Sequence, residues 1–153
     1  DTFMHLAGMA NETPPNWNYS VVYQDPLRTR NTHLASGDVV VTDAPVDNHG
    51  LGQAFSPTDL LSTSLAACVI TILGIHAQDK PYELSSMKAH VAKTMAASPR
   101  RVAAIEIEFE ILVSGDASDR DLAVLERAGR ACPVAKSLHP DVDQRLTFVF
   151  QRA

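Results

Sequence analysis

Ser56-Pro57-Thr58-Asp59-Leu60-Leu61-Ser62-Thr63-Ser64-Leu65-Ala66-Ala67-Cys68-Val69-Ile70-Thr71-Ile72-Leu73-Gly74-Ile75-His76-Ala77-Gln78 is the stretch on which the fold turns. It opens as a helix should: Ser56 is placed to cap, Pro57 takes the first helical position, and Asp59 completes a shortened capping box. No further charge appears until Asp79. Leu61, Leu65, Cys68, Ile72 and Ile75 recur at steps of three and four, and Leu60, Ala67 and Ile70 spread the apolar surface round the cylinder. A helix this apolar is expected to be enclosed on most sides. One layer of short strands does not cover so much surface, which predicts an obligate homodimer with this helix near the two-fold axis.

Working outward, Trp17 to Gln24 has the aromatic and β-branched content of a strand. Asp25-Pro26 breaks it, Leu27 to His33 is a second extended segment or turn, and Val39 to Thr42 is a short strand. Asp43 to Phe55, with Pro45, Asn48, Gly50 and Gly52, reads as a loop feeding the central helix. Beyond that helix, Leu84 to Met95 reads as a strand. Ile105, Ile107, Phe109, Ile111 and Val113 then alternate with Glu106, Glu108 and Glu110, the pattern of a half-exposed antiparallel strand. Ser118 and Asp121 cap a second helix, whose Leu122, Leu125, Gly129 and Cys132 fall on one buried face. Pro133 interrupts it, Val134 to Leu138 forms a further turn, and Leu146, Phe148 and Phe150 mark a last strand. The order predicts an α+β fold, antiparallel sheets packed on two long helices. Residues 1–16 read as a loosely held arm and residues 17–153 as a single domain.

The bulk numbers narrow the function classes. A formal charge of −5, with no basic cluster larger than Arg100-Arg101, excludes an electrostatic footprint for nucleic acid. The central helix is long enough for a membrane span, but its Ser62, Thr63, Ser64, Thr71, His76 and Gln78 argue for a core helix instead. The N-terminus shows no secretory-signal pattern, and two cysteines are too few for a disulfide scaffold, so the expected compartment is the cytoplasm. The histidines at 5, 33, 49, 76, 90 and 139 make no ligand spacing with one another or with Cys, so no metal is expected.

The residues alone leave the cysteines open. A buried free Cys behaves as a small hydrophobe, and position does not by itself show a lowered pKa. Three features favour a reactive pair. Both thiols lie on inward helix faces where they can meet. Cys132 precedes Pro133 at the start of a new turn, where amide dipoles favour a thiolate. The clusters Arg28/Arg30/His33 and Thr58/Asp59 suit a place beside an ionised sulfur.

Ser56-Pro57-Thr58-Asp59-Leu60-Leu61, Ala66-Ala67-Cys68 and Cys132-Pro133-Val134-Ala135-Lys136-Ser137-Leu138 together resemble the OsmC/Ohr family of osmotically inducible and organic-hydroperoxide-resistance proteins. Thr42 to Asn48 and Ser98-Pro99-Arg100-Arg101 resemble its plain OsmC-like branch. The resemblance covers roughly residues 17 to 150 and implies an intertwined α+β homodimer with two interfacial sites. It further implies a thiol peroxidase acting on organic or lipid hydroperoxides, with Cys68 peroxidatic and Cys132 resolving through a disulfide. No bound cofactor is implied; an external dithiol or lipoyl-type reductant restores the thiols. An Arg from the first strands holds the thiolate, which matches Arg28, with Arg30 next and His33 close by. Peroxidatic relatives carry a Glu directly after the helix-opening Pro to orient that Arg. Here Thr58 stands in its place, and Asp59 points about 100° further round the helix. Thr58 and Asp59 are the groups left to orient a substrate or the Arg. The substitution motivates a second reading, a dimeric module that binds a small hydrophobic ligand without turnover.

Overall fold

The computed structural model describes residues 16–153, so the expected arm, Asn16 apart, lies outside the described residues. The chain divides into two compact units, Asp1–Ala54 and Phe55–Ala153. In the first, β1 (Tyr19–Gln24), β2 (Arg28–His33) and β3 (Val39–Asp43) form an antiparallel sheet in the order β1-β2-β3. Three short strands enclose little: only Thr42 and Asp43 are buried, while Tyr19, Val21, Val22 and Tyr23 of β1 are all exposed. The loop after β3 holds one 3-10 turn, Val46–Asn48.

The second unit begins with α1 (Pro57–Ala77), followed by β4 (Tyr82–Ala96), β5 (Arg101–Gly115), α2 (Asp119–Arg130), α3 (Pro133–Ser137) and β6 (Asp143–Arg152). Both long helices start with the capping boxes that their sequences announce, Ser56 with Asp59 and Ser118 with Asp121. The alternation of β5 is realised: Ile105, Ile107, Phe109, Ile111 and Val113 are buried, and Glu106 and Glu108 face outward. β4 pairs with β5 antiparallel, but β5 pairs with β6 parallel, Phe109 opposite Phe148. The expectation of antiparallel sheets is corrected at that one pair. The chain between β5 and β6 crosses over through α2 and α3, and a helical crossover returns a strand in the same direction.

The core joins Leu65, Val69 and Leu73 of α1 to Phe109 and its β5 neighbours and to Leu125 of α2. Gly129 allows the close approach of α2. A Cβ built there lies 3.0 Å from Val69 Cγ1 and 3.2 Å from Phe148 Cε1. The face that α1 buries is Ser62, Leu65, Ala66, Val69 and Leu73, not the expected stripe through Leu61, Cys68 and Ile75. Leu61 and Ile75 are 40% and 54% exposed, so the chain alone encloses one face of α1, not most sides. The reason is compositional. A helix apolar all round specifies no face, and the small Ser62 and Ala66 let neighbouring elements approach there.

Candidate active site

Two turns of helix bring the cysteines together. Cys68 sits in the middle of α1, at the edge of its packed face, and is half-buried. Cys132 is fully buried and lies beyond α2, which ends at Arg130. It is the N-cap of α3, and Pro133 opens that helix, the new turn expected there. The placement of Cys132 on the buried face of the second helix is thereby corrected. Its sulfur accepts the Ala135 N–H at 3.4 Å, and Gln144 Nε2 donates to the Ala135 carbonyl at 3.0 Å, tying α3 to β6.

Burial pushes the Cys132 thiol up from its ordinary range, and a hydrogen bond to Cys68 and the charge on an ionised Cys68 push the same way. The amides of Ala135 and Val134 pull it down without reversing the direction. The expected dipole-stabilised thiolate at Cys132 is therefore corrected. The first turn of a helix supplies only about 0.3–1 kcal/mol, against the larger desolvation cost of a charge in a fully buried place. Cys132 is therefore favoured as the protonated thiol, with Cys68 among the neighbours that favour it.

Arg28 lies in the first unit, where burial and charge select its partner. Its Nε and Nη2 donate to the two oxygens of Asp43 at 2.7 and 2.8 Å, and Nη2 also reaches Gln53 Oε1 at 3.3 Å. The Asp43 carboxylate is wholly buried and also accepts the Gln53 amide at 3.0 Å. Asp43 thus holds the guanidinium in the bidentate geometry that fixes both position and charge. It was not singled out from the sequence, although an acid ending the apolar run Val39-Val40-Val41 is a signal for a buried ion pair. His33, at the end of β2, shares a hydrogen bond of 2.7 Å between its Nδ1 and Ser36 Oγ and packs its ring against Tyr19.

Arg28 holds the Asp43 carboxyl below the usual carboxylate range, aided by the amides of Gln53 and Ala54 against the opposing effect of burial. A carboxyl whose folded-state pKa is depressed stabilises the fold fully above its unfolded value of about 3.9, and that stabilisation is lost as pH falls through the lower folded value. Asp43→Asn is expected to lower the melting temperature at pH 7. The gap to the wild type closes as pH is taken down below about 4, and a gap that persists unchanged to pH 2 contradicts the pairing.

Thr58 and Asp59 are engaged within the second unit. Lys93 Nζ, on β4, donates to Thr58 Oγ1 at 2.9 Å and Ser56 Oγ at 3.2 Å and forms an ion pair with Asp59. Burial disfavours a charged Asp59, but Lys93 and the amide and hydroxyl of Ser56 outweigh it and hold the carboxyl below its ordinary range. Lys93 was also missed. Its signal is one charge on the inward side of a strand whose other inward residues include Met87, Ala89, Val91 and Met95. Among the described residues no group of three or more His, Cys, Asp or Glu is placed to hold a metal ion.

The sequence profile of a family described as OsmC-like protein matches residues 50–147. A crystal structure from Psychrobacter arcticus 273-4, of a protein named for an osmotic stress and detoxification response, is 44% identical, covers 87% of this chain and 96% of its own, and superposes with a TM-score of 0.78. An OsmC-like protein of Mycoplasma pneumoniae shares the fold at 14% identity, with 90% of this chain and 99% of that one covered and a TM-score of 0.71. The organic hydroperoxide resistance protein OhrB of Bacillus subtilis does so at 21% identity, with 87% and 98% covered and a TM-score of 0.53. A comparison with curated proteins finds no match.

Proposed function

The chain belongs to the OsmC-like protein family, and on that premise we propose that it is a thiol peroxidase that reduces organic hydroperoxides through Cys68 and Cys132. The observation that carries this reading is the pair of free thiols in one unit, Cys132 wholly buried and Cys68 half-buried, with Cys68 acting on the Cys132 thiol to push it up.

The chemistry balances with these two groups. The Cys68 thiolate attacks the distal oxygen of ROOH; the O–O bond breaks, an S–O bond forms, and the alkoxide leaves as ROH after taking a proton. Cys68 is then a sulfenic acid. The Cys132 sulfur attacks it, a disulfide forms and water leaves, with the Cys132 proton joining the departing hydroxide. A dithiol of the lipoyl type reduces the disulfide by exchange and is itself oxidised to a ring disulfide. Proximity makes the second step fast relative to over-oxidation. Within the first unit Asp43 holds Arg28, the cation that the family resemblance assigns to the thiolate and the departing oxygen.

The working form is a homodimer. The exposed apolar side of α1 and the exposed residues of β1 are surface that a second copy covers. A reducing compartment, the cytoplasm, keeps the resting thiols free. The apolar surface of α1 around the half-buried Cys68 favours an alkyl peroxide over hydrogen peroxide. Consumption of tert-butyl hydroperoxide in the presence of dihydrolipoamide is expected to exceed that of hydrogen peroxide by about tenfold or more, the scale of a few buried methyl groups. No consumption of either above the protein-free rate contradicts the enzyme and leaves the binding module.

A further inference from the structure

Gln144 breaks the pattern of its strand. Leu146, Phe148 and Phe150 turn one face of β6 into the core or against it, and the two-residue repeat of a strand puts Gln144 on that same face. A half-buried amide among apolar neighbours needs a partner. It has one: Nε2 donates to the Ala135 carbonyl at 3.0 Å. That carbonyl is one that α3 leaves open. The last bond of the helix runs from the Leu138 N–H to the Val134 carbonyl, and the backbone then turns extended at the Leu138 C-cap.

What Gln144 holds is the residue in contact with the sulfur. The Ala135 N–H donates to Cys132 Sγ at 3.4 Å, so Gln144 grips by its carbonyl the residue whose amide touches the thiol. A helix of five residues is too short to hold itself, and its place is set by tertiary ties of this kind. The other side of Cys132 is tied to the same strand. Arg130, the last residue of α2, donates from Nη2 to the Leu146 carbonyl at 2.9 Å. Residues 130–135 are thus fixed to β6 on both sides of Cys132, and of the two ties the one from Gln144 reaches the sulfur's donor.

Disulfide closure makes a demand on that donor. As the S–S bond forms, the S–O bond of the Cys68 sulfenic acid breaks, and the Cys132 proton leaves with the hydroxide as water. Negative charge builds on the Cys132 sulfur as its proton departs, in a wholly buried place that opposes it. The Ala135 amide is already aimed at that charge, and such a donor is worth most when it does not have to move. Peroxide attack makes no such demand, because it falls on Cys68, half-buried in the middle of α1.

We propose that Gln144 is a positioning residue for the second thiol: by holding Ala135 it keeps the amide on the Cys132 sulfur and speeds disulfide closure without acting on the peroxide step. This rests on the reading of Cys132 as the resolving thiol, and the experiment separates the two.

Reduced full-length protein is mixed with one equivalent of tert-butyl hydroperoxide in the presence of dimedone at neutral pH. Peptide mass spectrometry then measures the Cys68–Cys132 cross-link against the dimedone adduct on Cys68. Gln144→Met keeps the bulk and removes the donor. It is expected to shift the ratio toward the adduct by about tenfold, the scale of one buried carbonyl left unpaired, with the rate of peroxide loss in the first turnover unchanged. Gln144→Glu, which keeps the size but only accepts when ionised, is expected to shift the ratio the same way, and Gln144→Lys, which restores an N–H donor, to recover part of it. A wild-type ratio in both Gln144→Met and Gln144→Glu, or equal slowing of the two steps, overturns the proposal and leaves the two-thiol mechanism standing. No cross-link in the wild type removes the mechanism and the proposal with it.

Discussion

Cys68→Ser is expected to abolish peroxide turnover, and Cys132→Ser to convert a catalyst into a reagent that works once. The two losses differ because the two thiols are built differently. Cys68 is half-buried on a helix and reachable by a peroxide; without its sulfur nothing remains to attack the O–O bond, and a fall of at least about 1,000-fold is the usual scale for deleting a nucleophile. Cys132 is wholly buried and held protonated, so it meets no peroxide and acts only on its neighbour. Its removal leaves the first step intact and strands Cys68 as a sulfenic acid, which further peroxide drives to the sulfinic state. Dimedone labelling followed by peptide mass spectrometry checks this. Cys132→Ser gives an adduct on Cys68 after one equivalent of peroxide, and Cys68→Ser gives none on Cys132. Adduct formation at Cys132 in Cys68→Ser would reverse the assignment.

Phe109→Ala is expected to lower the unfolding free energy by about 3–5 kcal/mol, the range for deleting a buried aromatic ring. Phe109 has no exposed surface, lies at the centre of the longest antiparallel pairing, and stacks on Phe148 with ring centroids 4.9 Å apart. Phe148 in turn stacks against Phe150 and carries the Arg130 guanidinium over its ring at 5.1 Å. The deleted ring therefore removes support from β6 and from the end of α2, the element that leads directly to Cys132. Urea unfolding is the check: a lower midpoint at unchanged slope reports the loss of core packing. A shift worth less than about 1 kcal/mol would mean that the site collapses around the gap, or that β5 is not the spine of the core.

The parts of the fold legible in the sequence are those fixed by local chemistry. Ser56 with Asp59 and Ser118 with Asp121 announce their helices because capping is decided within four residues, and the alternation of Ile and Glu in β5 announces its own facing. Three features were not legible. The packed face of α1 was missed because periodicity carries no information once every face is apolar. The parallel pairing of β6 depends on where a crossover lands, which no local pattern records. Cys132 was put on α2 by continuing a three-four spacing one step past the point where Arg130 ends the helix, although the new turn beginning at Pro133 was itself read from the sequence. In the candidate site, both cysteines named from the sequence lie in one unit, and Cys68 acts on the Cys132 thiol. Their electrostatics were misread, because a cap position was weighed without the burial that overrides it. Asp43 and Lys93 are partners rather than motifs, Asp43 visible only as the acid closing an apolar strand and Lys93 only as the one charge on the inward side of its strand.

The thiol pair is tested most directly by where one equivalent of oxidant goes. Fully reduced protein is treated with stoichiometric tert-butyl hydroperoxide, alkylated and digested without reductant. A peptide linking Cys68 to Cys132, two hydrogens lighter than the sum of its parts, is the predicted product, with both thiols lost together. Two separately alkylated cysteines after the peroxide is spent, or oxygen adducts on each without a cross-link, would contradict it.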